Sequence, residues 1–314
     1  MVLRVTQSMM SSSVLRHISD GYGKLADLQD QLASGKKISR PSQDPVVATM
    51  GIAYRTDVNH IAQYQKNVTT AYKWLDSADD ALQQVNDVLT RIRELTNEAS
   101  TDTYTSDQRQ DAAKEVEQLK EQLVTLGNTQ VGGQYIFDGS NTDKPLLTIA
   151  DDDTKTVTAT ANDPAYSDVE IAVNDGIQMT INVPPDSVFT VAADSDPETD
   201  DTDTLFGMID GLIGTLNDDS SSGDQISAYL DKIDTQLDKI GNAQADIGAK
   251  TNRLDMIKNR LGEQNTIATK IMSNNEDADY AETIVDLNQQ QNVYNAALSV
   301  GARIIQTSLV DFLQ

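Results

Sequence analysis

There is no cysteine in the 314 residues. Disulfides, thiolate metal sites and a cysteine nucleophile are therefore excluded, and the redox compartment stays open. Aromatic residues make up 5% of the chain, with a single tryptophan, and hydrophobic residues of all kinds reach only 38%. That composition suits long amphipathic helices with narrow apolar stripes better than a thick globular core. The two histidines, His17 and His60, both fall in helical patterns. They cannot make a histidine-rich zinc site, and no His-Glu-x-x-His pair exists. A Ser–His–Asp triad would have to recruit one of them from an extended helix without a cleft. No apolar run approaches the ~20 residues of a membrane span, so no membrane insertion is expected. The opening MVLRVTQSMMSSSVLRH lacks an apolar block followed by a small-residue cleavage site, and export without a cleavable Sec signal is the expectation.

Positive charge is also scarce. The net charge is -25, which argues against nucleic acid and against anionic lipid as partners. Residues 141–224 hold 19 acidic and 2 basic side chains, so most of the excess sits in one central region. Such a region, facing outward, keeps single chains soluble and discourages lateral sticking. The runs Asp151–Asp153 and Glu198–Asp203 lack the sixth-position glycine and twelfth-position glutamate of a calcium loop. Gly23–Lys24 and Gly35–Lys36 fail as phosphate loops, because Ile18 and Asp30 stand where the first glycine is needed. Paired carboxylates for glycan hydrolysis arise here by chance from the abundance of aspartate, and an activity screen with Asp→Asn changes would expose a real pair. No catalytic residue, cofactor or metal site is assigned.

What the chain does have is periodicity. Alternating steps of four and three from Tyr280 reach Ile284, Leu287, Gln291, Tyr294, Leu298, Gly301, Ile305, Ser308 and Phe312. A repeat averaging 3.5 residues keeps one stripe facing one partner along a coiled coil. Val293, Ala297, Val300 and Ile304 lie beside that stripe. Near the other end, Val14, Ile18, Gly21, Leu25, Leu28 and Leu32 follow the same alternation up to Gly35. Pro41 prevents the helix from continuing, and Asp44–Pro45 reads as an N-cap followed by proline at the first helical position. Helical spacing resumes through Tyr72, Leu75, Leu82 and Leu89, with Trp74 read as core or interface, and again through Val116, Leu119 and Leu123. A period of two in VEIAVNDGIQMTINV, around Asn174–Asp175–Gly176, predicts a β-hairpin, and SVFTVAA is a further candidate strand. Beyond it Leu205, Ile209 and Leu212, then Ile226, Ile233, Ile240, Ile247, Leu254 and Leu261, restore the helical pattern.

The expected fold is mainly α: a long helical hairpin or coiled-coil bundle with a small inserted β-rich domain. Its parts are an N-terminal coiled-coil helix at 1–44, a helical rod in two pieces at 45–137 and 204–279, an acidic β domain at 138–203 and a C-terminal coiled-coil helix at 280–314. Pairing the two end helices covers one side of each and leaves width on the C-terminal one. Either other copies cover the remainder or the ends fold back on the central helices. In the first reading, residues of roughly 1–40 and 280–314 are disordered or only loosely paired in a single chain and become ordered when neighbours cover them.

Several motifs bear on that choice. LRVTQSMM at the start, LASGKKISRPSQDPVVA after the first helix and NEDADYAE before the last are similar to segments of the flagellin family. PSQDP, GGQYIFDGSNTDKPL and the ending QQQNVYNAALSVGARIIQTSLVDFL resemble the family's hook–filament junction members more than its filament subunits. The likeness is strong over 1–145 and 225–314 and weak between, where only β character and position agree. It implies a flagellin-like fold and a structural adaptor exported unfolded through the flagellar type III channel. It implies a ring of about eleven subunits between hook-associated protein 1 and the flagellin filament, with the terminal helices inward. An export chaperone on the C-terminal helix is also implied. A filament subunit is the alternative. Contacts between subunits are expected at Val14, Ile18, Leu25, Leu28, Leu32, Ile284, Leu287, Tyr294, Leu298, Ile305, Leu309 and Phe312. Because neither acidic run has calcium-loop spacing, added calcium should leave the thermal midpoint unchanged; a rise in midpoint on titration would reveal an ion site.

Overall fold

The computed structural model describes residues 7–101, 103–150, 155–159, 167–189 and 204–311. In chain order the elements are helices α1 (Gln7–Ser34), α2 (Pro45–Ala99) and α3 (Ser106–Gly127), strands β1 (Gln130–Val131), β2 (Gln134–Tyr135), β3 (Leu147–Ile149), β4 (Val157–Ala159), β5 (Glu170–Asn174) and β6 (Ile177–Thr180), and helices α4 (Leu205–Asn217), α5 (Gly223–Glu276) and α6 (Tyr280–Asp311). The chain forms two compact units, one of Met1–Ile61 with Glu263–Gln314, the other of Ala62–Gly262. The architecture is mainly helical, with long paired helices and a small region of β-hairpins, as the periodicities predict.

The central unit, 62–262, is built on heptads. Along α5, Ile226, Ile233, Ile240, Ile247, Leu254 and Leu261 recur at every seventh residue, and each is at most 2% exposed. Along α2 three columns are buried: Val68, Leu75, Leu82 and Leu89; Ala71, Ala78, Val85 and Ile92; and Trp74, Ala81, Val88 and Leu95. Three columns in seven give a stripe wide enough for more than one neighbour. The Tyr72 hydroxyl donates to Asp255, Arg93 pairs with Asp234, and Gln65 Nε2 donates to the Leu261 carbonyl, so within this unit the two helices run antiparallel. α3 starts in a capping box, in which Thr105 and Gln108 bond reciprocally, and it packs against α4. Lys120 of α3 is 4% exposed and survives there because Asp210 of α4 and the Lys155 carbonyl take its ammonium protons.

Among the described residues, the β region contains three antiparallel hairpins, each two-stranded. The predicted hairpin is β5–β6, turned at Asp175–Gly176 with Gly176 at φ +66°. Its inward side includes Val173 and Met179. Asn67 of α2 donates to the Ala172 carbonyl and fixes the hairpin to that helix. Gly132–Gly133 is the turn of β1–β2, both glycines having positive φ. The β3–β4 hairpin was not foreseen from the sequence, since its strands are three residues each. Where SVFTVAA suggested a strand, the chain makes a 3-10 turn at Pro185–Ser187 and buries Val188 and Phe189, the latter edge-on to Phe137 at 5.1 Å; residues 190–193 lie outside the described residues. The acidic runs at 151–153 and 198–203 lie outside them as well.

Among the described residues, every fully buried hydrophobic side chain lies between Val68 and Leu261, within this unit. A cavity left in it has no solvent route to relief. Replacing Ile240 by alanine is expected to cost about 2–4 kcal/mol of unfolding free energy. Replacing Leu298, 42% exposed, should cost no more than about 0.5 kcal/mol in the free chain. Urea unfolding of the two variants checks the contrast, and equal losses would contradict it.

Candidate functional site at the paired terminal helices

The terminal unit, 1–61 with 263–314, is built differently. Its helices stop and restart where the sequence contains the right caps. Gly35 takes φ +69° after α1, and its N–H bonds the Gln31 carbonyl. The Asp44 carboxylate accepts from the Val46 and Val47 amides at the start of α2, and Pro45 occupies the first turn. Asp279 does the same for α6 by accepting from the amides of Ala281 and Glu282.

α1 and α6 pair with each other, antiparallel. Val14 and Ile18 pack on Gly301, where a Cβ would stand 3.2 and 3.3 Å from their side chains. Gly21 meets Gln290 and Tyr294, Gln290 Nε2 donates to the Gly21 carbonyl at 3.2 Å, and the rings of Tyr22 and Tyr294 lie 6.2 Å apart. The covered face of α6 is Thr283, Leu287, Gln290, Tyr294, Ala297 and Gly301, spaced by fours and threes. Of the residues singled out from sequence, Val14, Ile18, Leu25, Leu28, Leu32, Leu287 and Tyr294 are half-buried. Ile284 and Leu298 are exposed and point away from this seam. Ile305 and Leu309 lie on the last turns of α6, and Phe312 lies outside the described residues.

The outward faces carry large apolar residues among polar ones. Among the described residues, the exposed large hydrophobics are in this unit except for Ile149 and Met256. They include Leu15 and Tyr22 on α1, Met50 and Ile52 on α2, Ile267 and Ile271 on α5, and Val285, Val293 and Val300 on α6. Solitary exposed apolar residues need no explanation, but this concentration does in a unit where, among the described residues, no large side chain is fully buried.

Between the helix pair and the ends of α2 and α5 lies a polar cluster that the sequence pattern did not reveal. Lys36 and Asp277 form an antiparallel β-bridge, flanked by Lys37 N–H to the Glu276 carbonyl at 2.7 Å and Ala278 N–H to the Gly35 carbonyl at 3.0 Å. The Glu276 side chain is 6% exposed, and its Oε2 accepts from Arg55 at 2.7 Å and from Lys36 at 3.4 Å. Lys36 also pairs with Asp277 at 2.6 Å, Ser273 donates to the same carboxylate, and Asn275 Nδ2 donates to the Val47 carbonyl. The segments SGKKIS and NEDADYAE, which carry the family likeness separately, thus meet in space. Their opposite charges, Lys36 and Lys37 against Glu276 and Asp277, were the available signal. Beside the cluster is a cavity of 290 Å³ lined by Ile38, Pro41, Val47 and Ile52 together with Arg40 and Arg55.

Hydrogen bonding from Arg55, aided by Lys36 and opposed by burial, holds the Glu276 carboxyl below its ordinary range; the hydrogen bond from Lys36, then that from Ser273, does the same for Asp277. Lys36 is raised by the same partners, chiefly Asp277. A lowered carboxyl contributes stability that is present above its unfolded value and lost as pH falls through the lower folded value. The raised lysine contributes fully at neutral pH and loses its share only as alkaline pH passes its raised value. Amide protection at Lys37 and Ala278 should therefore be weaker in Glu276→Gln than in the parent chain at pH 7. The difference should close as pH falls through the lowered folded value of Glu276, below the ordinary glutamate range. A difference independent of pH, measured by hydrogen exchange, would refute the assignment.

Comparison with known proteins fits this arrangement. Residues 5–142 match the bacterial flagellin N-terminal helical region, and residues 230–313 match the bacterial flagellin C-terminal helical region. The flagellar hook-associated protein 3 of Escherichia coli is 25% identical over 308 residues, covering 94% of this chain and 95% of that protein. A flagellar hook-associated protein of Vibrio parahaemolyticus superposes with a TM-score of 0.65 at 20% identity, over 75% of this chain and 100% of that one. A flagellar junction protein of Legionella pneumophila gives 0.56 at 16% identity, over 72% and 99%. At these identities the two structures establish a shared fold. Among the described residues no helix is long and apolar enough to cross a membrane.

Proposed function

The chain belongs to the bacterial flagellin family, and from that premise we propose that it forms the ring that joins the hook to the flagellin filament. It is a structural component of the flagellum, of the hook–filament junction class, and not an enzyme. One observation carries the finer reading. Among the described residues, the central unit covers its large apolar side chains except Ile149 and Met256, whereas the terminal unit leaves Tyr22, Ile52, Ile284, Val293 and Leu298 in solvent. A surface of that kind gains free energy only when other chains cover it, at about 25 cal/mol for each Å² of apolar area removed from water.

In this reading, α1 and α6 of neighbouring copies pack side by side. Val14, Ile18, Leu25, Leu28, Leu32, Leu287 and Tyr294 hold the pair within one chain, and Ile284, Leu298, Ile305, Leu309 and Phe312 meet the neighbours. The ring has about eleven subunits, the copy number that the resemblance to the family's junction members implies. Its faces bind hook-associated protein 1 on one side and flagellin on the other. Before export, a chaperone shields the C-terminal helix. The acidic central region faces outward and keeps single chains apart.

Deletion of residues 280–314 in the parent bacterium tests the proposal. Bare hooks, with flagellin released into the medium, are expected; filaments of normal length would overturn it. Added to flagellin seeds, the purified full chain should not grow long filaments, and growth of such filaments would assign it instead to the filament subunits.

A further inference from the structure

We infer that the Glu276 carboxylate is a latch that fixes the register of α1 against α6 before the chain meets any partner, a conclusion that rests on reading the terminal unit as the assembly end. The seam alone specifies register weakly. Its covered positions recur by fours and threes, and a slip of one heptad would still place half-buried apolar residues beside small ones. No large side chain of that seam is fully buried among the described residues, so no knob in a deep hole opposes such a slip.

The latch removes the degeneracy. Each terminal helix leaves the seam through a short connector, 35–44 after α1 and 277–279 before α6. The two connectors are pinned to each other by the Lys36–Asp277 bridge, at one register only. Glu276 ends α5, leads directly into the 277–279 connector, and its carboxylate reaches the 35–44 connector through Lys36 and α2 through Arg55. Its Oε1 is buried against Gly51, where a Cβ would stand 2.8 Å away, and has no hydrogen-bond partner. That close approach explains the glycine on an otherwise ordinary helical turn. Lys37 closes the far side by donating to the Asn274 carbonyl at 2.6 Å. A single charged, buried group satisfied in only one alignment specifies register in the way that one polar residue does inside an apolar coiled-coil seam. Glu276 is thus a positioning residue: its effect on the assembly surface passes through the alignment of α1 and α6.

The absence of cysteine provides the test. Residues 36 and 277 are a pair without backbone hydrogen bonds between them, those bonds falling on their neighbours. The Cα atoms of such pairs stand about 4.5 Å apart, within reach of a disulfide. Hydrogen exchange is measured on the full-length chain, in isolation, with residues 68–99 of α2 as the internal reference. Glu276→Gln should speed exchange in 283–301 about tenfold and leave the reference unchanged. Adding Lys36→Cys and Asp277→Cys to that variant should restore parent protection when oxidised and lose it again on reduction. The crosslink restores alignment and not charge, so rescue separates a latch from a local electrostatic contact. Unchanged exchange in Glu276→Gln, failure of the oxidised crosslink to rescue, or absence of protection in 283–301 of the parent chain would each overturn the inference. No partner is present, so these outcomes bear on the latch alone, whereas the filament phenotype of the deletion bears on the junction role alone.

Discussion

Apolar burial in this protein is distributed unequally, and the rest of the structure depends on that inequality. Ordering a backbone residue costs about 1–2 kcal/mol, and a Leu or Ile returns about 1.5–3 kcal/mol only when it is fully covered. The central unit meets that condition with α2 and α5, whose heptad columns are buried along their length. The terminal unit does not. Its α1–α6 seam half-buries Val14, Ile18, Leu25 and Leu28 and relies on glycines at 21 and 301 to bring the two backbones close. A helix pair of that kind is marginal by itself, since isolated helices gain most of their stability from packing. In the proposed ring its remaining stabilisation comes from other chains.

The polar cluster at Glu276 answers a second requirement of the same design. An end that waits for partners must hold its shape without a deep core. Ion pairs at a surface contribute little, but Glu276 is nearly enclosed, and its loss of solvation is offset by Arg55 and Lys36. The β-bridge beside it uses backbone groups that every sequence has, and the side chains decide which backbone groups meet. Gly35 and Gly51 are part of that choice. Gly35 takes a positive φ and leaves room for the Tyr280 hydroxyl, and Gly51 leaves room for the carboxylate.

Much of this was legible in the sequence, and the parts that were not have physical reasons. The seven-residue recurrence of Ile226 to Leu261 marks a buried seam directly, because a fully covered stripe admits only apolar residues. Asp44–Pro45 and Gly35 read correctly as a helix start and a helix stop, since caps are local. On α6, apolarity picked out Ile284 and Leu298, while the covered face runs through Thr283, Gln290 and Gly301. The rule that apolar means inward fails on a helix covered along one narrow face, where close packing selects small residues over large ones. The meeting of SGKKIS with NEDADYAE spans some 240 residues of chain, a separation across which no periodicity carries information. The β3–β4 hairpin is too short for alternation to stand out.

A cysteine introduced into this cysteine-free chain reports directly on whether the exposed stripe is a surface awaiting cover. Leu298→Cys, alkylated by a maleimide in the free chain and again in isolated hook–filament junctions, is the most direct measurement. The account predicts rapid labelling in the free chain and labelling slowed at least about a hundredfold after assembly, as expected of a site buried between subunits. Equal rates in the two states would contradict it, because the apolar face of α6 would then stay in water where the protein works.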